Sequence, residues 1–568
     1  MRIHFMLVGL LLTTLANAPR PAAADTANGR HTLTREQIRT LNVRTINELM
    51  NQIPGVSAGT SSISIHGSSA VRVFLDGRPI NDPLSSRGTV KWELVSLNEI
   101  EHIEVYTGGE TALYGDDSSG GVVKITTRRM DGDRSTLEVG VGRFRAAQAE
   151  AGYQTTLGDW GAGLSLGRDR TDGFRTNNDV DSRTAGVKLG TSLSSGTLDL
   201  SADHAREQRG SPGLPEFPTP RARADNRTDG ATATYSAGLT ATVYVNRFEK
   251  RSLDPDIALD SVLESRAVGA DLKTEIVAPV LGILKTGANL ETAAVSGNRI
   301  LDRRERRLGV VGSKSLALDD ATTLTLGLRL NEYSEFAQAN NPELKLERRI
   351  GGLSLHAGGA RTNNVPTFLQ RYTESSTTRP NPDLKMEDVV TWKLGAAWQG
   401  DAGLQGGVTL FDSRITDNIT YLRGDDGIGS YQNVGRVTQR GAEFSLKWRP
   451  APGWDVKPTH LYLDAFDERS GHTLPFKPRR QTRLDLQRQI APGWTAGAST
   501  QLVSGQYSRA DHQAPVAGYA VTSLQTDYAL GNHRLLLRID NLFDRDYRYG
   551  DGYPAPPRAW NLSWSRDF

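Results

Sequence analysis

The sequence predicts an exported, strand-rich chain in two unequal parts. A small α+β unit near the amino end precedes a long strand array that fits a transmembrane β-barrel. Three observations carry this. Residues 63–127 alternate short β-branched runs with glycine turns. From about residue 132, apolar and polar residues alternate with period two. The one long apolar stretch lies at the extreme amino end. A membrane role therefore needs a barrel or a peripheral mode, not spanning helices.

Residues 1–24 read as a secretory leader. Arg2 supplies the charge, residues 5–15 the apolar core, and Ala22-Ala23-Ala24 the small residues before Asp25. The apolar run is too short to span a bilayer. Two short helices are expected next. Thr34-Arg35-Glu36-Gln37 and Thr45-Ile46-Asn47-Glu48 both carry the capping-box pattern, in which the threonine hydroxyl accepts from an orphan N–H and the third residue reaches back. Ile38 and Leu41, then Ile46, Leu49, Met50 and Ile53, give each helix one apolar face. Pro54-Gly55 stops the second. Four strands are expected, over 62–66, 71–75, 100–106 and 121–126. Asp76-Gly77 is a hairpin dipeptide, and Gly120-Gly121 breaks the backbone before the last apolar run.

The remainder is sparing in apolar residues. Only 37% of the 568 residues are hydrophobic, and 58 are glycine. Barrel strands need apolar side chains on the lipid face alone, so such a composition suits them. Leu324, Leu326, Leu328 and Leu330 alternate with Thr325, Gly327 and Arg329; Leu137, Val139 and Val141 alternate with Glu138, Gly140 and Gly142. The same alternation would suit a soluble sandwich or propeller. With no cysteine, disulfides and thiolate chemistry are excluded. The net charge of +2 gives no bulk sign of nucleic-acid binding. No G-x-S-x-G, H-E-x-x-H or P-loop is present, so an enzyme is not expected.

Five pieces in order resemble the plug domain of TonB-dependent outer-membrane receptors. They are Ile65-His66-Gly67, Val73-Phe74-Leu75-Asp76-Gly77-Arg78-Pro79-Ile80-Asn81, Ile103-Glu104-Val105, Ala112-Leu113-Tyr114-Gly115 and Gly120-Gly121-Val122-Val123-Lys124-Ile125. Downstream, Asn381-Pro382-Asp383-Leu384-Lys385 resembles the family's NPDLK segment. Tyr431-Gln432-Asn433-Val434-Gly435 with Gly441-Ala442-Glu443 resembles its N-x-G…G-x-E strands, and Asn541-Leu542-Phe543-Asp544 its NLFD turn. In residues 558–568, Trp560, Leu562 and Trp564 alternate before a terminal Phe568, like the signal read by the outer-membrane barrel assembly machinery. The two tryptophans also suit an aromatic girdle. The resemblance implies a transmembrane β-barrel of about 22 antiparallel strands, occluded by a small N-terminal α+β plug domain. The leader would be 1–24, the plug 25–131 and the barrel 132–568, the barrel leaving about 20 residues for each strand and its connection. Residues 207–230, with Pro212, Pro215, Pro218 and Pro220, are expected to form an external loop. The size is nearest the cobalamin-receptor-like members.

The chain departs from the family's pattern where charge is concerned. His66, His102 and Thr107 stand where plug arginines are usual, and Lys393 stands where one barrel glutamate is usual; the other is Glu443. A lone buried charge costs several kcal/mol, so these changes make sense together. We expect His66, Thr107, Lys393 and Glu443 to form an altered plug–barrel latch, with Lys393 and Glu443 paired and His66 close by. The plain alternative makes His66 and Thr107 ordinary plug-surface residues. Residues 25–31 (DTANGRH) are polar and poor in strand formers, so they match neither a TonB-recruiting segment nor a first plug strand.

The resemblance implies a monomeric receptor in the Gram-negative outer membrane, exported by the Sec pathway. It would take up a scarce small molecule, such as a siderophore-type metal chelate or a cobalamin-like compound, with the TonB complex as partner. The runner-up is a plugged barrel without TonB coupling that serves as a binding or assembly partner; a passive porin is disfavoured by the plug. Arg78, Asn81, Asp82 and Arg87, around the plug apex, are the expected ligand contacts. No cofactor is expected, save that Asp179 and Asp181 in an early loop, or Asp425-Asp426, could offer oxygen ligands to Ca²⁺. A solvated polar loop is the plainer reading.

Overall fold

The computed structural model describes residues 29–568 except 42, 44, 108–110, 279–281, 376, 401–402 and 425. The leader, residues 25–28, Gly108-Gly109 and Asp425 lie outside the described residues.

The first unit is built on one sheet. Its elements are β1 (Arg30–Thr34), α1 (Arg35–Thr40), α2 (Ile46–Met50), β2 (Val56–Ala58), β3 (Ile63–Ile65), β4 (Val71–Leu75), β5 (Arg78–Pro79), β6 (Ile100–Tyr106) and β7 (Gly121–Thr127). The sheet order is β1-β6-β7-β4-β5, with only β4 and β7 parallel. Period two decides the packing. In β4, Val71, Val73 and Leu75 are buried while Arg72 and Phe74 face the other way. Leu49, Met50, Ile65, Ile103 and Val123 complete the core. Asp76 and Gly77 both take left-handed φ values, 49° and 86°, as the tight hairpin into β5 requires.

Two expectations about this unit change. Residues 30–34 form a genuine first strand, antiparallel to β6. Its polar side chains conceal it: Arg30 pairs with the buried Glu104, and Leu33 packs on the core. The first capping box is complete at Thr34 and Gln37. At α2 only half of the box forms. The Thr45 hydroxyl accepts from Glu48 N–H at 3.4 Å, but the Glu48 carboxylate reaches Arg538 of the barrel at 3.5 Å.

Among the described residues, 22 strands close into a barrel around this unit, each antiparallel to its neighbours. Leu326, Leu328 and Leu330 are 45–49% exposed on the outside, whereas Arg329 and Asn331 are 3% and 5% exposed inside. This is the sign of a wall with lipid outside and a polar lumen. The first barrel strand, Arg134–Gly142, pairs with the last, Ala559–Asp567. The terminal Phe568 N–H donates to Ser135 O at 2.8 Å and extends that seam. Trp560 points outward, and Leu562 and Trp564 face Val141 and Val139 across the seam. The wall is uneven. The strand Leu259–Ala278 has 20 residues, whereas His533–Asp540 has 8.

The expected external loop is shorter than 207–230. Gly196–Gly210 and Arg223–Ser236 are paired barrel strands, and only 211–222 turns between them, holding all four prolines. The ladder continues beyond Glu207 because Arg206 and Gln208 both donate to Asp225, at 2.6 and 3.0 Å. The family motifs act as clasps. Asn381 donates to Tyr431 O and Lys385 N–H donates to Asn433 Oδ1, both at 2.8 Å, so the NPDLK and N-x-G segments hold each other. Asn541 takes a φ of 49° and accepts from Arg545 N–H, which makes the NLFD turn.

Candidate functional site

The site is the interface between the inner unit and the barrel wall. His66 follows β3 in a turn with φ 49°, and its N–H donates to Gly55 O at 2.9 Å. The turn aims the ring at the wall, where it stacks on Phe411 with centroids 4.2 Å apart. Its Nε2 lies 2.7 Å from Glu443 Oε2, and Lys393 Nζ lies 3.4 Å from its Nδ1. Gly55, at φ +70°, is required here, since a Cβ would come within 2.6 Å of His66 Nε2. The direct Lys393–Glu443 pair expected from sequence is replaced by an imidazole bridge: the ring occupies the space between the two charges. His31 adds a longer contact to Glu443, at 3.9 Å.

Burial, and then the Lys393 charge, depress the His66 pKa below its ordinary 6.5, outweighing Glu443 and its hydrogen bond. A neutral ring can donate from Nε2 to Glu443 and accept at Nδ1 from Lys393. The linkage has a definite sign. A withdrawn plug exposes a histidine that protonates near 6.5, while the docked one resists. Docking therefore weakens as pH falls from about 6.5 toward the depressed value. We expect amide protection of β3 and β4 to fall on acidification from pH 7 to 5 in the wild type, and to fall less in His66→Gln. Equal pH dependence in both would remove His66 from the latch.

Thr107 does not reach the wall. Its N–H and hydroxyl both donate to Gly29 O, at 2.7 and 3.1 Å, which anchors the start of β1. The residues expected to meet ligand are engaged by protein instead. Arg78 is 1% exposed and pairs with Asp203 and, at 2.6 Å, with Asn246 of the barrel. Gly230 opens the wall for it, since a side chain there would occupy the guanidinium's place. Asn81 ties its own unit together, accepting from Val73 N–H and donating to Val71 O. Asp82 accepts from Leu84 N–H and Ser85 Oγ and lies 3.3 Å from Lys91. Burial opposes its charge, yet Lys91 and Lys250 hold its pKa below the usual range. Arg87 donates to Glu387 at 2.5 Å and to Val365 O at 3.1 Å.

The physical reason is a folded-in outer segment. Helix α3 (Phe368–Tyr372) lies in the connection between the barrel strands Leu353–Asn364 and Glu387–Gln399. Phe368 and Tyr372 join Leu84, Phe248, Val295 and Ile300 in an apolar cluster over the apex. The apex is thereby covered, with Arg78 and Arg87 spent on the wall and Asp82 on Lys91 of its own unit.

Sequence reading missed a third group of contacts. Asp116 lies 3.1 Å from Arg72 and 3.2 Å from Arg307 of the wall, and Arg307 also lies 3.3 Å from Asp117. Burial opposes the charge of Asp116, but Arg307 and Arg72 hold its pKa below the ordinary range. Asp117 Oδ1 accepts from Val365 N–H at 2.8 Å. Asp-Asp before Ser-Ser was visible in the sequence, but nothing local names Arg307 as its partner.

Asp179 and Asp181 are satisfied by arginines. Arg223 grips Asp179 at 2.7 and 2.8 Å, and Arg168 grips Asp181 at 2.7 Å. Among the described residues no group of three or more His, Asp or Glu side chains is placed to hold a metal ion. Two histidines far apart in sequence do meet: the His472 and His512 rings stack at 4.3 Å.

The inner unit does not fill the lumen evenly. A cavity of about 890 Å³ runs along the wall formed by residues 134–210. Arg175, Asn178, Leu214 and Tyr553 line it among the outer connections, and Arg39, Arg534 and Asp567 line it at the other rim.

Comparison with known proteins agrees with this architecture. The profile described as "TonB dependent receptor-like, beta-barrel" matches residues 125–542, and "TonB-dependent Receptor Plug Domain" matches residues 22–122. The chain is 21% identical over 562 residues to the vitamin B12 transporter BtuB of Photobacterium profundum, covering 93% of this chain and 90% of that one. A variant of the ferric enterobactin receptor PfeA from Pseudomonas aeruginosa, solved with enterobactin, superposes with a TM-score of 0.81 at 19% identity, covering 96% and 100% of the two chains. The siderophore receptor PirA from Acinetobacter baumannii gives 0.81 at 17% identity, covering 96% and 99%. The proteins it resembles are thus named as transporters and receptors. With the barrel matched over most of its length and the inner unit matched as a plug, the chain belongs to the TonB-dependent receptor family of the Gram-negative outer membrane.

Proposed function

We propose that this protein imports a scarce metal chelate or cobalamin-like compound by TonB-coupled active transport. The observation that carries the reading is the latch. Three plug arginines, Arg72, Arg78 and Arg87, face the barrel acids Glu291, Asp203 and Glu387, and the barrel's Arg307 holds two plug acids. A lumen wide enough for a large solute, held shut by buried ion pairs on several sides, calls for an external pull to open it. The family supplies one in TonB. The substrate class rests on the names of the relatives, which include a vitamin B12 transporter and siderophore receptors. The outer mouth of the lateral cavity, with Arg175, Asn178 and Tyr553, is the docking place we assign to the solute. Export by the Sec pathway, insertion by the barrel assembly machinery and a monomeric state belong to the same reading.

One observation favours the runner-up, a plugged barrel that recruits a partner without TonB. Residues 30–34 are spent in the plug's own sheet, so that strand is not free to add to another protein. The test is binding of the purified TonB carboxy-terminal domain from the same organism, with and without ferric siderophores and cobalamin. Binding that deletion of residues 25–29 abolishes is the expected result. No binding under any condition would overturn the importer in favour of the plugged scaffold.

A further inference from the structure

The outer surface of the barrel carries a row of arginines. Arg168, Arg183, Arg206 and Arg227 stand on the adjacent strands Trp160–Thr171, Val180–Leu193, Gly196–Gly210 and Arg223–Ser236. Register places Arg168 opposite Arg183, Arg183 opposite Arg206, and Arg206 opposite Arg227. Their side chains are 40–61% exposed. Leu164, Leu166, Val187 and Leu189 lie on the same faces and are 37–51% exposed, so the row looks out of the barrel and not into the lumen.

Like charges directly opposite each other destabilise a sheet, so the row costs the fold energy unless anions come to it. Carboxylates of the chain answer it only in part. Asp181 is shared by Arg168 at 2.7 Å and Arg183 at 3.4 Å, and Asp225 by Arg206 at 2.6 Å and Arg227 at 4.0 Å. Glu249 on the next strand stands opposite Arg227, at 3.8 Å, and ends the row. Toward the bilayer the four outward faces carry one acid, Asp229, and His204 takes it at 2.7 Å. On the opposite flank the outward Arg361 and Arg414 are separated by Val390, and each has its own acid, Asp388 at 2.7 Å and Asp412 at 3.3 Å.

The row stands 8, 10, 10 and 9 residues from the strand ends at Trp160, Leu193, Gly196 and Ser236, where short turns connect the strands on the periplasmic side. Tilted strands need about 9–11 residues to cross the hydrocarbon. The guanidiniums therefore stand at the outer headgroup level, where lipid phosphates lie. Strands are about 4.8 Å apart, so the row is roughly 14 Å long. A disaccharide head with a phosphate at each end suits that length, and a guanidinium can fork to a phosphate through two N–H groups.

We propose that this row binds the phosphates of one outer-leaflet glycolipid with a diphosphorylated disaccharide head, and so fixes that lipid to this flank of the barrel. The acyl chains would run down the wall past Leu164, Val187 and Ala202, which register sets side by side. The site is separate from the lumen and from uptake.

The experiment is native mass spectrometry of the purified full chain in detergent, titrated with diphosphoryl lipid A. One retained lipid per barrel is expected. Arg183→Gln with Arg206→Gln should weaken retention roughly ten-fold. Arg183→Lys with Arg206→Lys should weaken it less, since an ammonium keeps the charge but loses the fork. Arg361→Gln with Arg414→Gln removes the same charge from the opposite flank and should change nothing. Excess inorganic phosphate should not displace the lipid. Equal loss in the two glutamine pairs, or equal retention of phosphatidylcholine, would leave only general contact with the surrounding lipid and overturn the site. Displacement by inorganic phosphate would overturn it in favour of a free-anion site. TonB binding and uptake are not read by any of these outcomes.

Discussion

Arg307→Leu is expected to loosen the plug by about 3–5 kcal/mol, one of the two largest single-residue effects at the interface. Arg307 is a barrel residue that meets two plug carboxylates, Asp116 at 3.2 Å and Asp117 at 3.3 Å. Removing it leaves Asp116 to Arg72, at 3.1 Å, and Asp117 to the more distant Arg87, at 3.9 Å. Asp117, a half-buried carboxylate, would lose its nearest cation, and the buried Asp116 one of its two. The leucine stem fills part of the vacated space, so the loss is chiefly electrostatic. Hydrogen exchange across β7 and the 111–120 segment reads it directly, as does the denaturant midpoint for plug release. Arg307→Lys should fall between, since a single ammonium cannot fork to two carboxylates. Unchanged protection in Arg307→Leu would mean that the Asp116–Asp117 contacts do not hold the plug.

The second large effect is expected at the imidazole bridge. Glu443→Leu strands the Lys393 ammonium against a neutral ring, at a cost of about 3–5 kcal/mol. Lys393→Leu added to it should restore most of the loss, because an apolar pair of similar bulk avoids burying any charge. The double variant is thus predicted to be more stable than the single one it contains. A double-mutant cycle on plug release measures this as a coupling energy of about 2 kcal/mol or more. Additive losses would show that Lys393 and Glu443 act separately, with His66 passing nothing between them.

The two latches differ in how well the sequence announced them. His66, Lys393 and Glu443 could be assembled from sequence because each occupies a motif position whose usual residue, or whose partner's, has changed. The Arg78–Asp203, Arg87–Glu387 and Arg307–Asp116 contacts could not. They join residues 125, 300 and 191 positions apart, and no local period or turn chemistry encodes such a partner. The strands of the plug were legible because β-branched runs such as Val71–Leu75 end in turn residues such as Asp76-Gly77. β1 was not, because Arg-His-Thr-Leu-Thr shows its strand character only once Glu104 lies across from it. The external segment 207–230 misled through its prolines, which mark only the middle of that stretch. The lateral cavity was hidden for another reason. Ser165, Gly167, Thr184 and Gly186 are ordinary residues along the chain, and become a gap only when register sets them side by side.

The uneven wall has a consequence for the surrounding lipid. Beside Leu259–Ala278, 20 residues of strand exceed the 9–11 or so that cross the hydrocarbon, so that flank stands proud of the membrane. At His533–Asp540 and Ala559–Asp567, with 8 and 9 residues, the outer surface is barely tall enough. Hydrophobic mismatch is relieved by leaning or by local thinning of the bilayer. The extra height of the tall strand carries the outward Glu264 and Arg266 and stands in water, so mismatch arises only on the short side, where the bilayer has to thin. That side is where the first and last strands of the barrel pair, so the thinnest ring of lipid faces the seam that closes the wall.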